Sequence, residues 1–208
     1  MQAVIAWFRD YWPYAIALVV VAVGASFLFR KAAPSYRAHQ KTFHAQESEM
    51  RRLVALKEQY YPLTAQAIAA APKEELLEGT ALSIQIPLQK SDDPDGAFKN
   101  LSDVQQMIYV LDVFTSDKTA ATFFKESSTL LTGRLLPALD LIGLHEFDAD
   151  MQMLVTMFDE NDETTSLDPK KIAAADANFA AGDLLTKIKL RGAEYIQTHT
   201  EQFLAKDD

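Results

Sequence analysis

The chain has no cysteine, and its seven glycines are scattered along 208 residues. Without cysteine there is no disulfide framework, no thiolate nucleophile and no cysteine-ligated zinc or iron–sulfur site. The scattered glycines form no phosphate-binding loop, dinucleotide-binding fingerprint or nucleophile elbow. The sequence therefore predicts a protein that is not an enzyme and that holds no cofactor and no metal, and an enzyme with an unobvious site is the less favoured alternative.

Positive charge is also scarce, because 20 lysines and arginines stand against 29 aspartates and glutamates, which gives a formal net charge of −9. Domains that bind nucleic acid are normally basic, so no nucleic-acid partner is expected. The apolar fraction of 49% and the charged fraction of 24% are close to those of globular proteins and exclude general disorder.

One long apolar segment is present near the N-terminus, where residues 11–29 contain no charge. As a helix this segment would extend roughly 28 Å, which matches the hydrocarbon thickness of a bilayer. The side chains expected to anchor it at the two interfaces are Trp12, Tyr14, Arg30 and Lys31. The sequence therefore predicts a single transmembrane helix over 11–31, after a short tail over 1–10.

A cleaved signal peptide is the alternative for this segment. Signal peptides begin with a basic region, whereas Arg9 is followed at once by Asp10, and the apolar run is longer than a usual signal core. A retained anchor is therefore favoured. Within it, Ala22 and Ser26 form a pair of small residues four apart, which would let another helix approach closely.

Basic residues follow the predicted span far more than they precede it, which favours a cytoplasmic C-terminal part, with an extracytoplasmic location as the alternative. Residues 1–57 carry a net charge of +5 and residues 58–208 a net charge of −14. This asymmetry separates a basic juxtamembrane helix over 32–61 from an acidic domain over 62–208.

The juxtamembrane segment has apolar residues at a seven-residue spacing, at Tyr36, Phe43 and Met50. Lys57 occupies the next position and interrupts the pattern, so the repeat is shorter than the three or four heptads of a coiled coil. The helix is expected to pack on its own domain, and a homodimer through this helix is the alternative. Phe43 and Met50 are candidate partner contacts in either case.

The acidic domain is expected to be helical, with Ser102, Ser116, Asp148 and Asp168 as helix N-caps and a broken helix over 130–144. Over residues 82–88, apolar residues alternate with polar ones around Pro87, which predicts one short edge strand. Such an edge would accept a strand from a partner unless another strand of the chain pairs with it. The candidate contacts there are Leu82, Ile84 and Ile86.

Acidic residues from Asp159 onward follow the spacing of a calcium-binding EF-hand loop, but two requirements fail. The sixth position is Thr164, where the turn needs glycine, and the twelfth is Lys170, where a bidentate carboxylate should stand. His145 and Glu146 begin like a zinc-protease motif, which lacks its second histidine. We expect a solvated loop and no metal.

The sequence thus predicts a mainly α protein with one transmembrane helix, a long juxtamembrane helix and a helical domain. The favoured function is a non-enzymatic, membrane-anchored accessory or scaffold subunit, whose partners are the membrane and other membrane-complex proteins. The alternative is a membrane-tethered domain that senses or binds a small apolar ligand. Its cavity would be lined by methionines 107, 151, 153 and 157, although these side chains also suit core packing.

Overall fold

A computed structural model describes residues 47–117, 119–158 and 167–204. The chain divides into two compact units, Met1–Val54 and Ala55–Asp208. Every regular element in the described ranges is helical, which confirms the mainly α fold. The predicted tail, the predicted span and the start of the juxtamembrane helix lie outside these ranges. Among the helices that the structure describes, none is long and apolar enough to cross a bilayer.

Ten α-helices lie in the described ranges, the first of them over 47–60. They are α1 (47–60), α2 (Ala65–Ala70), α3 (Lys73–Gln89), α4 (Pro94–Lys99), α5 (Asp103–Ser116), α6 (Ala120–Glu126), α7 (Thr129–Leu141), α8 (Asp148–Met157), α9 (Pro169–Ala181) and α10 (Leu184–Thr198). Short 3₁₀ turns precede α8 and follow α10.

Two of the predicted helix starts are confirmed by their capping hydrogen bonds. The Ser102 hydroxyl accepts from the Gln105 backbone amide at 3.2 Å, and the Gln105 side chain accepts from the Ser102 amide at 3.2 Å, which completes a capping box. The Asp168 carboxylate accepts from the Lys170 amide at 2.9 Å at the start of α9. These polar side chains satisfy amides that have no partner within the helix.

Two other predicted caps are wrong. Ser116 is the last residue of α5, and the N-cap of α6 is Thr119, whose hydroxyl accepts from the Thr122 amide at 3.1 Å. Asp148 is the first residue of α8 and not its cap, because a 3₁₀ turn leads directly into the helix. In the first case α5 extends through the residue expected to cap α6. In the second case a 3₁₀ turn occupies the residues before α8, so no separate capping residue precedes that helix.

The predicted edge strand over residues 82–88 is also wrong, because these residues lie in α3. This helix contacts both α5 and α10, and buried residues occur on more than one of its faces. Apolar residues on several faces produce an alternation that resembles a strand. Pro87 lies in the last turn of the helix, where it removes only one backbone hydrogen bond.

The helix predicted to be broken over 130–144 is the continuous helix α7, with Pro137 inside it. It ends in a Schellman motif: the Gly143 amide donates to the Asp140 carbonyl at 2.9 Å and the Leu144 amide to the Leu139 carbonyl at 3.0 Å. Gly143 has a φ of +69°, a left-handed conformation in which glycine carries no steric penalty. The chain reversal therefore belongs to the end of the helix and not to its middle.

The core of the second unit is built on α3, α5 and α10, which all contact one another, while α7 packs on α5. Leu56 and Tyr60 of α1 belong to this core, with 4% and 0% of their surface exposed. Gly192 brings α10 close to α3, because a Cβ at this position would lie 3.1 Å from a methyl carbon of Leu77. Four phenylalanine rings pack in sequence: Phe114, Phe123 and Phe124 belong to the core, and Phe158 packs against it.

Candidate functional site

Three apolar side chains are exposed together on α1, within the first unit. Met50 exposes 64% of its surface, Val54 50% and Leu53 37%. Residues at positions i, i+3 and i+4 lie on the same side of a helix, so these three side chains form one surface, which we call the apolar stripe. A stripe of this kind on a surface helix is typical of a contact with another helix.

Ion pairs lie on the same turns of α1 as the apolar stripe. Arg51 contacts Glu47 at 2.6 Å, and Arg52 contacts Glu49 at 2.8 Å. The hydrogen bond from Arg52 lowers the pKa of Glu49 below its usual value, because it stabilises the ionised carboxylate. These charges are paired within α1, and the apolar stripe is the exposed apolar surface of this helix in the described part of the chain.

A second surface feature is an open cleft of about 300 Å³ in the second unit. Its large apolar side chains come from α5, α9 and α10, at Phe114, Phe179, Leu184 and Leu185. The first three are almost fully buried, with at most 7% of their surface exposed, whereas Leu185 exposes 41%. We call this feature the acidic cleft, because three carboxylates also line it.

The three carboxylates are those of Asp117, Asp176 and Asp183. Asp176 accepts a hydrogen bond at 3.2 Å from the Ala120 amide, which ties α9 to the start of α6. Partial burial raises the pKa of Asp117, and the nearby negative charge of Glu126 raises it further. Asp183 has a φ of 54°, which turns the chain sharply between α9 and α10.

Sequence reasoning missed this cleft, because its carboxylates come from three separate segments. Asp117 follows α5, Asp176 lies in α9, and Asp183 lies between α9 and α10. The one local signal near the cleft is Gly182, a helix-ending residue type that forms the C-cap of α9. Only the packing of α6 and α10 against α9 brings the three side chains to one cleft.

The candidate residues taken from the sequence fall into three groups. Those that lie outside the described residues are Trp12, Tyr14, Ala22, Ser26, Arg30, Lys31 and Phe43. Met50 is described and lies in the apolar stripe. Ile84 and Ile86 are buried within α3, at 7% and 8% exposure, and Leu82 is partly buried against the core. Their backbone groups lie within a helix, so the predicted strand addition at this place is wrong.

Two of the histidines lie in the described ranges, and their surroundings differ. His145 is exposed, with Nδ1 at 3.3 Å from an Asp140 carboxylate oxygen and at 3.7 Å from Asp148. The His199 ring stacks on that of Tyr195 with 4.2 Å between ring centres. Its Nδ1 lies 3.0 Å from the Tyr195 carbonyl oxygen, and the residue is half-buried.

The acidic segment that begins at Asp159 was predicted to be a solvated loop without a metal. Residues 159–166 of this segment lie outside the described ranges. Within those ranges, no group of three or more histidine, aspartate or glutamate side chains has a geometry that could hold a metal ion. Of the four methionines considered as cavity-lining, Met151 and Met157 are buried, and Met107 and Met153 pack against the core. None of the four lines the acidic cleft.

Comparison with known proteins adds no relative: no protein-family model, curated protein or solved structure matches this chain.

Proposed function

We propose that this chain is a membrane-anchored accessory subunit, which holds its helical domain within a larger membrane protein assembly. The uncharged segment over 11–29 supports the anchor, because its length fits a bilayer and aromatic and basic residues flank it. The excess of basic residues after this segment supports a cytoplasmic location for the helical domain.

The observation that carries the proposal is the apolar stripe on α1. Met50, Leu53 and Val54 expose 64%, 37% and 50% of their surfaces to water. Covering apolar surface contributes about 25 cal/mol for each Å² removed from water, so a partner that covers the stripe would be favoured. The spacing of the three residues fits a helix of another subunit, which presents side chains at the same period.

Charge supports a partner of different sequence more than a second copy of this chain. The heptad pattern that ends at Met50 meets Lys57 at its next position, where a parallel dimer would bring two lysines together. Like charges at such a seam destabilise a dimer. The stripe is therefore assigned to a hetero-oligomeric contact, and a homodimer is an outcome that the test below distinguishes.

Two charge-matched double variants of the full-length protein test this assignment after extraction in mild detergent. Met50→Lys with Val54→Lys places two charges in the apolar stripe, whereas Ala55→Lys with Gln59→Lys places two on other exposed positions of α1. We expect stoichiometric partners with the wild type and with the second variant, and their loss with the first. Recovery of the wild-type chain alone, or as a homodimer, would contradict the proposal.

A further inference from the structure

The acidic cleft combines an apolar floor with an exposed apolar side chain. Phe114, Phe179 and Leu184 form the floor of the cleft and are also packed in the core of the domain. Core packing therefore fixes the position of the floor. Leu185 exposes 41% of its surface beside them. An apolar side chain of a partner molecule would cover both Leu185 and the accessible parts of the floor. Removal of this apolar surface from water would favour binding.

The carboxylates of the cleft favour a positively charged ligand. Asp117, Asp176 and Asp183 line the cleft, and none of the described residues that line it is a lysine, an arginine or a histidine. Partial burial and the charge of Glu126 raise the pKa of Asp117, so the fold disfavours the ionised form of this carboxyl group. A cation placed here would stabilise that ionised form, and electrostatic complementarity would orient it.

The shape of the cleft favours a protein segment over a free small molecule. Its volume of about 300 Å³ is at the lower end of small-molecule pockets, and it is partly open to solvent. Small-molecule pockets enclose most of their ligand, whereas an open cleft of this size suits a few side chains that project from a larger partner.

We infer that the acidic cleft binds a basic, apolar segment of a partner protein, in which an arginine or lysine side chain stands next to a bulky apolar one. The apolar side chain lies on Phe114, Phe179 and Leu185, and the cation lies among the three carboxylates. The inference rests on the proposed function, because the segment is assigned to another subunit of the same assembly. It adds a second contact, whose chemistry differs from that of the apolar stripe.

The test uses the full-length protein in mild detergent and labelled synthetic peptides of about twelve residues at roughly physiological salt, where long-range charge effects are screened. The first peptide carries two Arg-Leu steps in a Gly/Ser background, the second carries Glu-Leu steps and the third Arg-Ser steps. Fluorescence anisotropy is expected to show saturable binding of the Arg-Leu peptide and at least about tenfold weaker binding of the other two, which corresponds to about 1.4 kcal/mol.

Variants then test whether the peptide binds in the acidic cleft. Asp117→Asn, Asp176→Asn and Asp183→Asn together remove three charges and keep the side-chain shapes. Asparagine at 176 still offers an oxygen to the Ala120 amide, and asparagine at 183 tolerates the positive φ. A matched triple variant removes three exposed carboxylates away from the cleft, by Glu58→Gln, Asp92→Asn and Glu201→Gln.

We expect the cleft triple variant to weaken binding about tenfold or more, and the matched triple variant to leave it within about twofold. Leu185→Lys is expected to abolish binding, whereas Leu167→Lys, at another exposed leucine, is expected to leave it unchanged. Equal weakening by the two triple variants would overturn the inference, because net charge alone would then explain it. Absence of saturable binding to the wild type would also overturn it.

Failure of this inference and failure of the proposed function give different results. Partners that co-purify with the full-length chain, together with peptides that do not bind, would contradict the cleft and leave the accessory-subunit proposal standing. A chain purified alone that nevertheless binds the Arg-Leu peptide through the cleft would contradict the assembly and leave the peptide site standing.

Discussion

The aromatic ring of Tyr60 packs directly on the backbone of Gly79. A Cβ at position 79 would lie 2.5 Å from the ring carbons Cγ and Cδ2 of Tyr60, which is far inside van der Waals contact. Tyr60 exposes none of its surface, so its ring cannot move outward to make room. The close approach of α1 and α3 at this point therefore depends on the absence of a side chain at residue 79.

Replacing Gly79 by alanine should destabilise the domain by about 1–3 kcal/mol, which is typical of inserting a methyl group into a packed core. Chemical denaturation of the full-length protein in detergent, followed by circular dichroism, measures this change. Gly133→Ala is the control, because Gly133 is an exposed residue of α7 and a Cβ there meets no atom within 4 Å. The control should raise stability by about 0.5–1 kcal/mol. A destabilisation by both alanines would argue against the packing described.

Replacing Tyr60 by phenylalanine should keep or raise stability at neutral pH. The Tyr60 hydroxyl is buried and has no hydrogen-bond partner in the described part of the chain. Removing such a group avoids a desolvation cost of about 1–3 kcal/mol and leaves the ring on Gly79 unchanged. A loss of more than about 1 kcal/mol in the denaturation experiment would mean that the hydroxyl makes a stabilising contact.

Alkaline pH should destabilise the domain partly through two tyrosines. Burial raises the pKa of Tyr60 and of Tyr109 above 10.0, and the neighbouring charges of Glu75 and Asp112 act in the same direction. A raised pKa in the folded state means that the unfolded chain releases these protons first, so stability is lost as pH rises above about 10. Tyr60→Phe should reduce this loss. An unchanged slope of stability against pH above 10 would exclude a contribution from Tyr60.

Asp117→Asn should stabilise the domain at neutral pH and have less effect at acidic pH. The folded-state pKa of Asp117 is raised above 3.8, so the folded protein holds this proton more tightly than the unfolded chain does. Stability from this group is therefore present at low pH and is lost as pH rises through the folded pKa. Melting temperatures of the two proteins at neutral pH and near pH 3 measure the difference. A larger stabilisation at acidic pH would contradict this sign.

Local signals in the sequence located two of the four predicted helix starts. The N-caps Ser102 and Asp168 act within one turn of the helix, and both were predicted correctly. Helix α3 could not be predicted in this way, since the alternation that includes Ile84 and Ile86 arises from burial against two neighbouring helices. A buried helix and a buried strand share the same apolar content over such a short segment.

The two candidate surfaces also differ in whether a local signal in the sequence could predict them. Met50 was predicted as a contact from its spacing along one helix, and its exposure is a property of that helix. The acidic cleft depends on carboxylates that are up to 66 positions apart, from Asp117 to Asp183. No pattern along the chain relates these carboxylates, because their proximity results from tertiary packing.

The most direct test of the account is the mass and composition of the full-length protein purified in mild detergent, by light scattering and mass spectrometry. We predict a particle that contains partner proteins in fixed stoichiometry and is much larger than the 23.2 kDa chain with its detergent. Recovery of this chain alone, as a monomer or a homodimer, would contradict it.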